Sequence, residues 1–205
     1  NFKSDQNLIE LVAKAMRDGY NQYAPMAGDI GLRKIISNKT ESLYSKKYDP
    51  FTEVTITAGA TQAIFTAIAT TINTGDEVII FTPAYDCYEP TIRLFGGVPV
   101  SIQLKSPSYR PDWGEVSKKI NRKTKMIIVN TPHNPSGTLF SESDMRQLED
   151  LAEKHNLVVI SDEVYEHIVF DGELHQSASK FPKLALRSFI IGSFGKTFHN
   201  TGWKM

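Results

Sequence analysis

Short runs of β-branched and apolar residues alternate with segments of helical period along most of this 205-residue chain, and few architectures accept that order. The runs EVTITAG (53–59), DEVIIF (76–81), VPVSIQL (98–104), KMIIVN (125–130), LVVISD (157–162) and SFIIGS (188–193) read as strands. Between them, ATQAIFTAIATTI (60–72) reads as a buried helix. YDCYEPTIRLFGG (85–97) reads as a helix interrupted near its start by Pro90, and SESDMRQLEDLAEKHN (141–156) as a helix opened by Ser141 and Asp144 in a capping-box arrangement. Two further helical segments, NLIELVAKAM (7–16) and LRKIISNKTESLYSKKY (32–48), precede the first strand and flank a loop dense in Pro and Gly. Strands separated by helices imply a mostly parallel sheet covered on both faces. Ligands of such sheets bind at the carboxyl ends of the strands, in the loops that follow.

Composition narrows the partners. Lysine plus arginine and aspartate plus glutamate number 23 each, so no global field draws the chain to nucleic acid or to an anionic membrane. No apolar run approaches the roughly 20 residues that span a bilayer. The single cysteine, Cys87, excludes an internal disulfide and a multi-cysteine metal site. These features point to a cytoplasmic protein with a small-molecule partner and no metal. The chain begins at Asn1 rather than methionine and stops at Met205, three residues after Gly202, as expected of a piece of a longer protein.

Five strand-end loops carry unusual chemistry: TAGATQ, TPAYDCY, NTPHNPSGT, SDEVY and GSFGKT. The last places a lysine, Lys196, just past an apolar strand. A phosphate-binding P-loop needs glycine at position 190, which is isoleucine. Ser193 and Lys196 fit the S-x-x-K of serine acyl-enzymes, but the accompanying S-D-N and K-T-G are SDE and KTF here. A lysine that forms a Schiff base with an aldehyde cofactor, beside an acid for a pyridine nitrogen, accounts for more of the pattern.

NPSG (134–137), SDEVY (161–165) and SFGKTFHNTGWK (193–204), in that order, resemble the class I/II pyridoxal-phosphate-dependent aminotransferases of fold type I. NQYAPMAGDIGLR, TAGATQAI and PAYDCYEP narrow the resemblance to the subgroup of methionine aminotransferases and kynurenine or glutamine transaminases. The resemblance implies a three-layer α/β/α large domain with a mostly parallel central sheet, occupying residues 1–205. An N-terminal arm, and a C-terminal small domain with the arginine for the substrate carboxylate, would lie outside it.

The resemblance also implies roles for particular residues. Lys196 would be the Schiff-base lysine and proton carrier, and Asp162 the partner of the pyridine nitrogen. Tyr165 and Asn134 would serve the cofactor O3′, and Tyr85 would stack on the ring. Backbone N–H groups of Ala60 and Thr61 would meet the phosphate with Ser193 and Lys204, a lysine where many relatives carry arginine. Tyr23 would reach the phosphate of a neighbouring subunit, which makes a homodimer with shared active sites the expected assembly. Cys87 is expected inside the helix that follows Tyr85, as a small buried residue, and His133 and His199 are expected to shape loops. The implied reaction moves an amino group from an amino acid, with methionine, glutamine or aromatic donors favoured, to a 2-oxo acid. A carbon-sulfur β-lyase is the rival within the same chemistry, and a ligand-sensing module the rival outside it.

Overall fold

The computed structural model describes residues 2–204. Five strands, β1 (Glu77–Thr82), β2 (Val98–Gln103), β3 (Thr124–Asn130), β4 (Val158–Asp162) and β5 (Ser188–Ile191), form one sheet in the order β2-β1-β3-β4-β5. Every pairing is parallel. Successive side chains of a strand face opposite sides, and the core divides accordingly. Ile79, Phe81, Ile127, Val129 and Val159 pack with Trp113, Phe140, Met145 and Leu148. Val78, Ile80, Met126, Ile128 and Ile160 pack with Ile64, Ile68, Tyr88 and Ile92.

Helices α5 (Trp113–Lys119) and α6 (Glu142–Lys154) therefore cover one face, and α3 (Ala60–Thr71) and α4 (Tyr88–Leu94) the other. This is the three-layer α/β/α arrangement that the alternation of strand and helix requires. Because β1 is followed by β2 on one side and β3 lies on the other, the strand order reverses at β1, the place where open sheets of this type leave a crevice.

Local signals explain most element boundaries. Ser141 and Asp144 form the reciprocal capping box at the start of α6. Asp144 also accepts from the Trp113 indole at 3.0 Å and from Arg110 at 2.5 Å, so one carboxylate joins α5 to α6, and although burial opposes them its hydrogen bonds hold its pKa below the usual carboxylate range. Asp144→Ala leaves a buried indole N–H and a helix start without partners. It should lower the unfolding free energy by about 2–3 kcal/mol in a denaturant titration.

Two expectations need correction. Residues 53–59 are not a strand: Val54 is buried, but apart from local turn bonds the segment's one backbone link is from Ile56 N to Ala27 O at 3.0 Å, and it pairs with no strand among the described residues. β-branched residues fit a pleated surface, but a ladder also needs a neighbouring backbone. Helix α4 begins at Tyr88, so Tyr85 lies in the turn before it and Cys87 is its half-buried N-cap rather than a residue of its interior. Pro90 does not interrupt this helix, because in the first turn its missing N–H has no intrahelical acceptor to lose.

Helix α1 (Gln6–Arg17) is capped by the Asp5 carboxylate, and α2 (Ile30–Tyr44) by that of Asp29. α2 is tied to the loop after β4, where Lys39 and Tyr44 both donate to Glu166, Tyr44 at 2.9 Å. α1 buries none of its residues, and its Leu11 and Met16 are exposed. No helix among the described residues is long and apolar enough to cross a membrane.

Candidate active site

The carboxyl ends of β3, β4 and β5, the N-terminus of α3 and the turn before α4 enclose one cavity of about 140 Å³. Its lining includes Ala60, Thr61, Tyr85, Asn134, Asp162, Tyr165, Ser193, Lys196 and Lys204, which come from six separate stretches of the chain. Tyr23 is fully exposed and absent from that lining.

Parallel register places the acid. Asn130 and Asp162 are the last residues of β3 and β4 and stand side by side, with Asp162 next to Ile191 of β5. The chain then turns, and the short helix α8 (Phe194–Thr197) sets Lys196 at the cavity. Gly195 allows this close turn: a Cβ there would meet the Cα of Thr201 at 3.2 Å. The Lys196 ammonium lies 5.6 Å from the centre of the Tyr165 ring, a cation–π contact that directs the amine inward.

Asp162 is 3% exposed. Burial pushes its pKa up to about 6, and the Tyr88 hydrogen bond, the Val164 N–H and the Lys196 charge each pull it back. A carboxylate kept in a dry site at this cost is suited to a cationic partner. Its two oxygens are already oriented, Oδ2 by the Tyr88 hydroxyl and Oδ1 by the Val164 N–H at 3.4 Å.

The opposite wall is suited to an anion. α3 starts at Gly59, whose φ of +80° favours glycine, and no side chain caps its first turn. The N–H groups of Ala60 and Thr61 have no intrahelical acceptor, and the helix dipole adds positive potential. Ser193 and Lys204 complete this wall.

Two contributors were not foreseen from the sequence. Asn130 accepts from the Asn134 N–H at 2.7 Å through Oδ1 and donates to the Asp162 carbonyl at 3.0 Å, linking the NPSG loop to the acid. Its signal was a polar residue closing an apolar strand, as in Asp162. Tyr88 is buried and donates to Asp162, and its signal was a second aromatic three residues after Tyr85. His133 bridges Ser136 Oγ at 2.7 Å and the Pro83 carbonyl at 3.0 Å, and its burial lowers its basicity. It joins two site loops, as expected of a shaping residue. Exposed His199 contacts the Phe2 carbonyl at 3.2 Å. Burial pushes the Cys87 thiol up to about 12, so it is held as the unreactive thiol.

A parallel α/β/α sheet that gathers a lysine, a buried aspartate and an uncapped helix N-terminus at one cavity has the groups to hold an anionic ligand with a cationic ring. The chain belongs to the aminotransferase class I and II family, whose profile matches residues 1–205. It is 44% identical to the methionine aminotransferase of Escherichia coli (strain K12), over 100% of this chain and 53% of the relative. It is 42% identical to kynurenine–oxoglutarate transaminase 3 of Homo sapiens, over 96% of this chain and 45% of the relative. The solved structure of YbdL from Escherichia coli, for which a methionine aminotransferase function was identified, superposes with a TM-score of 0.97 at 44% identity, over 100% of this chain and 54% of that one. The chain thus spans about half the length of the curated relatives it matches.

Pyridoxal phosphate is the cofactor of this family. The residues present fit it: a buried carboxylate for a protonated ring nitrogen, an uncapped helix N-terminus with a lysine for the phosphate, and an amine at the same cavity.

Proposed function

We propose that this chain is the cofactor-binding large domain of a pyridoxal-phosphate-dependent aminotransferase. Its donor would be methionine, glutamine or an aromatic amino acid, its acceptor a 2-oxo acid. The observation that carries the reading is the convergence of Lys196 and Asp162 on one cavity that also contains the N-terminus of α3. When bound, the cofactor supplies an aldehyde that takes up amines and a ring that stores the electrons released at the substrate Cα.

The protein's residues divide the remaining work. Lys196 Nζ holds the cofactor and, once displaced by substrate, moves the proton at Cα. Asp162 faces the ring nitrogen and keeps its proton in place. Ala60, Thr61, Ser193 and Lys204 hold the phosphate, with Lys204 acting as a point charge where arginine would form a fork. Tyr85 lies against the ring face, and Tyr165 with Asn134 serves the O3′ side. Methionine and kynurenine appear in the names of the relatives, which supports the donor class.

We also propose a cytoplasmic homodimer; the exposed apolar residues Leu11, Met16, Tyr20 and Met26, which flank fully exposed Tyr23 in the sequence, support the dimer. In that assembly Tyr23 reaches the partner's phosphate site.

An absorbance titration of the purified full-length protein with pyridoxal phosphate tests the reading. A near-visible band should form, bleach on addition of methionine and return with a 2-oxo acid. Release of pyruvate and ammonia from a cysteine conjugate, with no new amino acid, would replace transfer by β-elimination, and absence of any band would reject the cofactor assignment.

A further inference from the structure

The Tyr88 side chain is 3% exposed, and its hydroxyl donates to Asp162 Oδ2 between two elements 74 residues apart in sequence. Its ring belongs to the core on the α3 and α4 face and meets Tyr85 edge to face, with centroids 6.0 Å apart and an interplanar angle of 69°. A phenylalanine would fill the same volume. The hydroxyl alone therefore carries the link to the acid.

We propose that Tyr88 is a positioning residue that orients the Asp162 carboxylate and keeps it ionised for the cofactor's ring nitrogen, an inference that rests on the cofactor assignment above. Other groups around Asp162 cannot replace it. The Lys196 amine approaches from α8 and acts through its charge, while the Cys87 thiol at the start of α4 is protonated. Glu163 follows Asp162 in the chain, but its carboxylate is turned away, accepting from Ser161 Oγ at 2.8 Å, His175 Nε2 at 2.9 Å and the Ala178 N–H at 2.9 Å. Its charge opposes ionisation of Asp162. Among the described residues, Tyr88 supplies the one side-chain hydrogen bond to this carboxylate. Without it, a buried oxygen next to a second carboxylate loses its donor, and the proton returns to Asp162 at a higher pH.

The test is a double-mutant cycle in the full-length protein, with pyridoxamine 5′-phosphate as the probe. This compound carries the ring and the phosphate but no aldehyde, so binding is separated from attachment to Lys196. Its dissociation constant is measured from pH 5 to pH 9 for the parent, Tyr88→Phe, Asp162→Asn and the double variant. Tyr88→Phe should raise the constant about tenfold at neutral pH and move the midpoint of its pH dependence upward, while changing it less than about twofold in the Asp162→Asn background. Parental affinity and pH profile in Tyr88→Phe would overturn the inference alone. So would an equal loss in both backgrounds, which would make Tyr88 a packing residue. A parent protein that does not bind the probe would overturn the cofactor assignment and this inference with it.

Discussion

Under the proposed function, Lys196→Ala should abolish measurable transamination, with turnover lower by at least about a thousandfold, and remove covalent retention of the cofactor. Proton transfer by a positioned side chain contributes about 10²–10⁴-fold, and this substitution removes the holding amine as well as the proton carrier. Borohydride reduction followed by peptide mass analysis checks both points. Cofactor mass should appear on the peptide containing Lys196 in the parent and on no peptide in the variant. Because Lys196 is exposed at the mouth of the cavity, where it lies over the face of Tyr165, the fold should tolerate the change, with a melting temperature within a few degrees of the parent. Retained turnover would remove the role.

Asp162→Asn separates stability from function. Burial pushes the carboxyl up to about 6 in the folded chain, from 3.8, so the native state holds its proton more tightly than the unfolded chain does. The sign follows from that order. Asp162 costs nothing below about pH 4, its penalty grows as pH rises through 6, and above 6 the penalty is constant at about 3 kcal/mol. An asparagine carries no such penalty, although it accepts a weaker hydrogen bond from Tyr88. Cofactor-free Asp162→Asn should therefore be more stable than the parent by about 1–2 kcal/mol at pH 8 and show no gain near pH 4. The same variant should lose turnover by about two to three orders of magnitude, since no anion then faces the ring nitrogen. Denaturant titrations of both apo proteins at the two pH values decide the stability part. A variant less stable at pH 8 would mean that the carboxylate is a net stabiliser of the fold. A variant with parental turnover would remove its role at the ring.

Much of this was legible in the sequence because the signals are local. A strand buried on both faces must be apolar at successive positions, and runs such as VIIF and MIIV are apolar without a break. A helix start needs an acceptor for its first N–H groups, and Ser141 with Asp144 supplies one within four residues. Asp162 and Lys196 stand out because one ends an apolar strand and the other follows the next apolar strand within a few residues, and in a parallel sheet such groups arrive together at one edge.

Pairing and burial are not local. Residues 53–59 carry the same β-branched pattern as β1, yet among the described residues they pair with no strand and form no ladder. The bond from Tyr88 to Asp162 joins positions that no periodicity connects, and the raised pKa of Asp162 comes from the layers packed around it. The amino-acid sequence by itself determined the order of the elements, the apolar layers and the identity of the groups delivered to the strand ends, since period and capping act within a few residues. Only the tertiary structure decided which segments pair, how the carboxylate is oriented and how costly its charge is. Those depend on contacts between distant stretches and on the exclusion of water, which no short window of sequence contains.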